Sequence, residues 1–404
     1  MIKNRIIYNT FSDYKFKFTR AQGSFVWDDD GHKLIDFTSG WNVINLGWNH
    51  PEIAEAISIQ VKKNVYAPMW TADPIQERYA EALTNSLPSS LRAVGRATGG
   101  TEANEEAIKT ARACTGKHKI IGFKDAYHGQ SLSTLAIGYS PNYAVSKAVG
   151  PFVPGFVQMD FPGDLTLFSV QLEKALSNQD VAAVICEAGI ITGWGSTRVA
   201  PSGFLIEIRR LTKKHGALLI LDEVGTGFSR CGKLFGLEIE NVVPDMVTFA
   251  KGMVNGAAAI GAMVTTTEIA DKTLSKSNLT STFGWTPVAC AAALKTLEIH
   301  KRDKVWEKAK KDGQHLLSVL QSELKNHPLV EGVDGVGMEI GVRFVKIENK
   351  KSLSLSVIEK ARKKGLHLTY CDDYNHQIMP PLTIEKSVLE KGIEIFVDTV
   401  NSFR

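Results

Sequence analysis

The chain has 404 residues, 44% hydrophobic and 22% charged, with 47 basic against 43 acidic side chains and a net charge of +4. That balance excludes intrinsic disorder, and 34 glycines and 14 prolines without a period exclude collagen-like and low-complexity structure. The basic residues of Lys301–Lys311 and Lys346–Lys364 are interrupted by acids, so no nucleic-acid surface is expected, and no apolar run approaches the ~20 residues that span a bilayer.

Along the chain, short apolar runs alternate with helical patterns. The first predicted strand, Ala93–Thr98, leads into a helix over Glu102–Thr115, where Ala103, Ala107, Ala111 and Cys114 make an inward stripe. Glu102, Glu105 and Glu106 near its start, and Arg112 and Lys117 near its end, suit the helix dipole. Strands follow at Lys119–Phe123 and Val181–Cys186, then a helix over Gly203–His215, then strands at Ala217–Leu221, Met246–Ala250 and Ile260–Thr265. Several are continuous apolar stretches, the pattern of strands covered on both faces. Repeated strand–helix units predict an α/β fold with a large, mainly parallel sheet flanked by helices. After about residue 295 come a long charged helical stretch, Leu294–Asn326, a Gly- and Val-rich segment, Leu329–Phe344, and a last helix near Glu385–Ser402, which together predict a smaller α+β domain. The five cysteines, Cys114, Cys186, Cys231, Cys290 and Cys371, form no CxxC or Cys/His cluster. No metal centre is therefore expected, and a reducing, cytoplasmic setting is. Met1–Arg20 lacks the apolar core of a secretory leader.

Open α/β sheets place ligands at the C-terminal ends of their strands. After the first strand, Thr98-Gly99-Gly100-Thr101 runs straight into a helix, where free N–H groups can approach an anion. On this segment alone a phosphate cradle and a simple glycine-rich turn are equally good readings. The strand Ala217–Leu221 ends in Asp222-Glu223-Val224, and acids at the mouth of a buried strand are either paired or used. The strand Met246–Ala250 ends in Lys251, where desolvation can strip the ammonium of its proton and leave an amine nucleophile; alone, such a lysine is ordinarily solvent-facing. Nucleotide-binding alternatives fail, because Gly116-Lys117 lacks the upstream glycine of a P-loop and Gly225–Arg230 breaks a GxGxxG pattern at its last position. A phosphate cradle, a strand-end acid and a strand-end lysine, in that order, are what pyridoxal phosphate needs. The lysine forms the Schiff base and the carboxylate keeps the pyridine nitrogen protonated, so that the ring becomes an electron sink.

With these residues in place, the sequence resembles the class III (ornithine/4-aminobutyrate type) pyridoxal-phosphate-dependent aminotransferases of fold type I. The matches run in order from Gly23–Asp28, through Leu46–Pro51, Gly99–Asn104, Tyr127-His128-Gly129 and the most diagnostic segment, Leu221–Arg230. They continue through Pro244-Asp245, Ala250-Lys251-Gly252 and Ser281–Gly284 to Pro380-Pro381-Leu382. The resemblance implies an N-terminal segment (1–46) joining the small domain, a large cofactor-binding domain (47–295) and a C-terminal small α+β domain (296–404). It implies that Lys251 forms the Schiff base and then moves the proton, and that Asp222 pairs with the pyridine nitrogen. Val224 and Tyr127 would cover the two faces of the ring, and Gly100 and Thr101 would hold the phosphate. Thr282 would reach the phosphate of a neighbouring subunit, making a homodimer with a shared active site. Glu187 matches a family glutamate at a strand end, and His128 matches a motif position that a packed structural histidine would satisfy equally. The partners implied are a small amine or amino acid and a keto or aldehyde acceptor. The same scaffold also serves amino-acid racemases, epimerases and aminomutases, which is the alternative reading.

Two departures from the family pattern bear on substrate. Many members carry an arginine three residues before the Pro-Pro pair, binding a substrate carboxylate, where this chain has Gln377. Those members gate it with a glutamate five residues after the counterpart of Glu187, where this chain has Thr192. A neutral amide cannot make the bidentate, charge-assisted contact of arginine with a carboxylate, so the usual glutamate-binding mode is not expected. Trp41, Trp70 and Trp285 lie near the same loops and fit either an aromatic substrate pocket or simple core packing.

Overall fold

In the computed structural model, which describes residues 16–138, 148–193, 197–277, 279–346, 352–370 and 372–403, the apolar runs become strands of one sheet. Cys371 and part of the Lys346–Lys364 run lie outside the described residues. Near the N-terminus, β1 (Arg20–Gln22), β2 (Phe25–Trp27) and β3 (Lys33–Asp36) form an antiparallel meander. The large sheet takes β4 (Leu91–Ala97), β5 (Lys119–Phe123), β6 (Phe156–Met159) and β7 (Val181–Glu187). After a short ribbon of β8 (Ile190–Ile191) and β9 (Arg198–Val199) it adds β10 (Leu218–Asp222), β11 (Met246–Phe249) and β12 (Gly261–Thr266). The strand order is β4-β12-β11-β10-β7-β5-β6, with β12 antiparallel to both neighbours and the other pairs parallel. Every residue of β7 and β11 is buried, as continuous apolar runs require. The edge strand β6 has no fully buried residue and lacks such a run, so the apolar pattern does not reveal it.

The helix after β4 spans Gly100–Thr115, with Ala103, Ala107, Ile108 and Ala111 buried and the left-handed Gly116 (φ 69°) closing it by donating to the Arg112 carbonyl. The expected single helix over Leu294–Asn326 is instead two, Pro287–Arg302 and Val305–Leu324, separated by Asp303 and a left-handed Lys304 (φ 45°). The first helix is buried on nearly every face, and the second along one stripe through Val305, Ala309, Leu316 and Leu320.

The C-terminal part forms an antiparallel sheet of β13 (Val330–Val336), β14 (Glu339–Phe344) and, after the two-residue β15 (Leu366–His367), β16 (Asn375–Ile378). Strand β15 pairs in parallel with β3, so the chain's two ends share one sheet. Immediately after β3 the backbone enters a left-handed turn, Ser39–Asn42, with φ of 46°, 57°, 68° and 63° in succession. Only Gly40 is free of a Cβ penalty there, so the turn is strained and held by its surroundings. Among the described residues no helix is long and apolar enough to cross a membrane.

Candidate active site

Three parallel strands end side by side and deliver the polar groups. Asp222 closes β10, directly opposite Glu187 at the end of β7 in the strand register. Lys251 follows β11 after the intervening Ala250, in a single 3-10 turn, and adopts a positive φ of 45°. A left-handed lysine at a strand end is a strained position of the kind found at functional sites. Lys251 is partly exposed, to the cavity it lines. Burial lowers its pKa below the ordinary lysine value, against the opposing pull of the Glu187, Glu339 and Asp222 carboxylates. The amine therefore loses its proton more easily than a surface lysine.

Asp222 is 1% exposed and held from three sides. Its Oδ2 lies 2.7 Å from His128 Nδ1 and accepts from Asn104 Nδ2 at 2.8 Å, while Oδ1 accepts from the Val224 N–H at 2.8 Å. Asn104 also donates to the His128 carbonyl (2.8 Å) and accepts from Thr248 Oγ1 (2.7 Å), tying helix, strand and loop to the carboxylate. Its importance is not evident from residue type. The signal was its place three residues after Thr101, on the same helix face. Glu187 accepts from the backbone N–H and hydroxyl of Thr192, and burial pushes its carboxyl up to about 7.

These groups surround a cavity of about 300 Å³, lined among others by Gly100, Thr101, Tyr127, Asp222, Val224 and Lys251. The first amide groups of the Gly100–Thr115 helix have no partner within it, and Gly100 and Thr101 line the cavity, where such amides can meet an anion. A Cβ at Gly100 would stand 2.9 Å from Val224 Cγ1, and one at Gly129 (φ 134°) 2.5 Å from Thr101 Oγ1, so both glycines keep the cradle open. An anion-binding helix end, a lysine amine and a fixed carboxylate around one slot fit a phosphorylated pyridine aldehyde. Gly100, Thr101, Tyr127, Val224, Asp222 and Lys251 are thus brought together, and Glu187 lies just behind Asp222.

The class III aminotransferase family model matches residues 8–400. The chain belongs to this family. It is a pyridoxal 5′-phosphate-dependent aminotransferase of fold type I. It is 32% identical over 387 residues to the acetylornithine aminotransferase of Bacillus anthracis, covering 96% of this chain and 95% of that one. It is 33% identical to the 5-aminovalerate aminotransferase DavT of Pseudomonas putida, with 93% and 91% covered. A thermostable (S)-enantioselective omega-transaminase from Thermomicrobium roseum superposes with a TM-score of 0.89 at 30% identity, over 98% of this chain and 96% of that one.

In this aminotransferase the remaining expected residues fall in three places. Trp41 and Gln377 meet, the indole Nε1 donating to Gln377 Oε1 at 2.8 Å, and Gln377 Nε2 donates to the Thr192 carbonyl at 2.6 Å. The two positions that depart from the family pattern therefore touch each other. Trp285 is elsewhere: it is 1% exposed, its Nε1 donates to the Gly261 carbonyl at 2.7 Å, and its ring lies 4.9 Å from that of Tyr79. It packs the core and does not line the cavity. Trp70 is 81% exposed, and Thr282 is exposed beside Phe283, both outside the cavity of their own chain. Sequence reasoning missed Glu339 and Asn42, both buried beside Gln377 and Trp41. The signal for Glu339 was a lone acid in the apolar run Val336–Val342.

Proposed function

We propose that this enzyme transfers an amino group from an amine or amino acid to a keto or aldehyde acceptor without the arginine that many relatives use for a substrate carboxylate. The observation that carries this reading is that the neutral Gln377 amide donates to the Thr192 main-chain carbonyl at 2.6 Å, while the Thr192 hydroxyl is turned to Glu187. Relatives named for acetylornithine and 5-aminovalerate, and a structural neighbour named as an omega-transaminase, support donors that carry the reacting amine at the end of a chain.

Pyridoxal phosphate, when bound, supplies an electron sink for the carbon that bears the amine. The residues of this chain do the rest. The Gly100 and Thr101 amides and the Thr101 hydroxyl bind the phosphate. Asp222, fixed by His128, Asn104 and the Val224 N–H, holds a proton on the pyridine nitrogen. Val224 and Tyr127 would cover the ring faces. Lys251 Nζ, with its proton loosened by burial, would hold the aldehyde group and, when free, would take up and return the substrate's proton. Thr282, exposed beside exposed Phe283 and not far in sequence from exposed Leu274, serves the phosphate of a second copy, so the working unit is a homodimer.

The test is the near-visible spectrum of the holoenzyme with single amines and then a keto acid. Bleaching by an amine, recovery on adding the keto acid, and loss of both in Lys251→Ala are expected. A band that persists while the amine's chirality is scrambled without keto acid would overturn the aminotransferase reading in favour of a racemase.

A further inference from the structure

Beside the cavity, the side chains of Trp41, Asn42, Thr197, Glu339 and Gln377 are joined by hydrogen bonds. Val43, next to Asn42, and Val224, next to Gly225, both line the cavity, so the network flanks it. Its centre is Glu339, fully buried at the start of β14 and without an ion-pair partner among the described residues. Glu339 Oε1 accepts from Gln377 Nε2 (3.1 Å) and Thr197 Oγ1 (3.0 Å), and Oε2 accepts from Asn42 Nδ2. Asn42 Nδ2 also reaches the Gly225 carbonyl at 3.4 Å.

Hydrogen-bond polarity fixes how these groups are turned. Carboxylates and carbonyls only accept, and an indole N–H only donates. Gln377 therefore has a single orientation, with both amide hydrogens spent on the Thr192 carbonyl and Glu339 and its oxygen turned to Trp41. The same count applies to Asn42, whose hydrogens go to Glu339 and Gly225 and whose Oδ1 is buried without a partner. The Ser39 hydroxyl oxygen beside it is also buried and unpartnered. The amide hydrogens of Gln377 and Asn42 all point inward, which leaves Asn42 Oδ1 as an unpartnered acceptor and the Ser39 hydroxyl able to turn either way.

We propose that Glu339 is a positioning residue for substrate choice: by drawing the wall's donors inward it selects amino donors whose remote end carries its own hydrogen-bond donor, a second amine above all, and turns away those ending in a carboxylate. A remote carboxylate would find the amide hydrogens of Gln377 and Asn42 already spent and would face Glu339, while the buried Arg230 guanidinium that acts on Glu339 is itself held by the Met338 and Pro380 carbonyls and Asn45. This rests on the reading that the Gln377 wall faces substrate.

The experiment compares three donors of equal chain length on the holoenzyme: 1,5-diaminopentane, 5-aminopentanoate and pentylamine. Wild type is expected to favour the diamine over the amino acid by about tenfold or more in kcat/KM. Glu339→Gln should lower that ratio by about tenfold, through KM, while pentylamine changes less than about threefold; Glu339→Asp should restore part of the preference. A wild-type preference for 5-aminopentanoate, a ratio that moves less than about twofold, or a parallel fall for all three donors overturns the proposal. If wild type turns over none of the three, the donor reading above has failed, and glutarate titrated calorimetrically into the holoenzyme decides this one. Glutarate bound about tenfold tighter by Glu339→Gln supports it, and equal binding overturns it.

Discussion

Replacing Glu106 with glutamine should stabilise the enzyme, and more so at alkaline pH. Glu106 lies on the helix that carries the phosphate cradle, is 2% exposed, and has Oε2 buried without a hydrogen-bond partner against Gly95. Burial, and then the nearby Glu102, raise its carboxyl from the ordinary 4.5 to about 7, with Lys109 and Arg96 pulling the other way. A carboxyl whose folded pKa is raised holds its proton more tightly in the native state than in the unfolded chain. Its contribution is therefore most favourable below 4.5 and is lost as pH rises through about 7. At about 1.4 kcal/mol per pH unit between those two values, full ionisation costs about 3 kcal/mol, of which about 2 accrues between pH 5.5 and 8.5. Glutamine leaves an unpartnered amide in the same place, a penalty that does not vary with pH. The quantity to read is the difference in unfolding free energy between Glu106→Gln and wild type at those two pH values, by denaturant titration of the cofactor-loaded protein. An advantage that is the same at both would show that Glu106 is not an ionised, buried acid, and the reasoning would fall.

Asn104→Ala strands the Thr248 hydroxyl and the His128 carbonyl and removes one donor from Asp222. It should lose about 2–4 kcal/mol of stability and weaken pyridoxal phosphate about tenfold, measured by unfolding and by fluorescence titration of the apoenzyme. Trp285→Ala should destabilise by about 3–5 kcal/mol and leave the ranking of amino donors as it is, because the ring packs only core. Trp41→Phe should do the converse, staying within about 1 kcal/mol in thermal unfolding while donor ranking shifts in steady-state rates, because the indole N–H that it removes donates to Gln377.

What could be read along the chain was what the chain builds locally. An apolar run that ends in a charged residue announces a strand mouth, and Asp222 and Lys251 both stand at such mouths. The Gly-Gly-Thr turn into a helix carries its own reason, since the amides it frees are properties of the helix end. The tryptophans had no such local cue: Trp41 and Trp285 differ only in what the fold sets against them, a glutamine in one case and Tyr79 in the other. Glu339 was out of reach for the same reason, because its environment is assembled from Asn42, Thr197 and Gln377, which are distant in the chain. The helix break at Lys304 depended on where the core lay, and edge strand β6 had too little burial to leave an apolar trace.

The pairing of β3 with β15 also sets the rules for recombining this enzyme with its relatives. Phe37 donates its N–H to the His367 carbonyl and accepts from the Met379 N–H, so the strained turn bearing Trp41 and Asn42 is moored on both sides to the last forty residues of the chain. Lys251 and Asp222 belong to a different unit, the large sheet. The Trp41–Gln377 contact is thus built from segments far apart in the chain. A chimera that imports only a foreign C-terminal region brings in a new residue at position 377 against the old Trp41 and mismatches the wall. One that exchanges the first 46 residues together with the C-terminal region keeps Trp41, Asn42, Glu339 and Gln377 matched to one another and leaves only Thr192, Thr197 and Gly225 to the recipient.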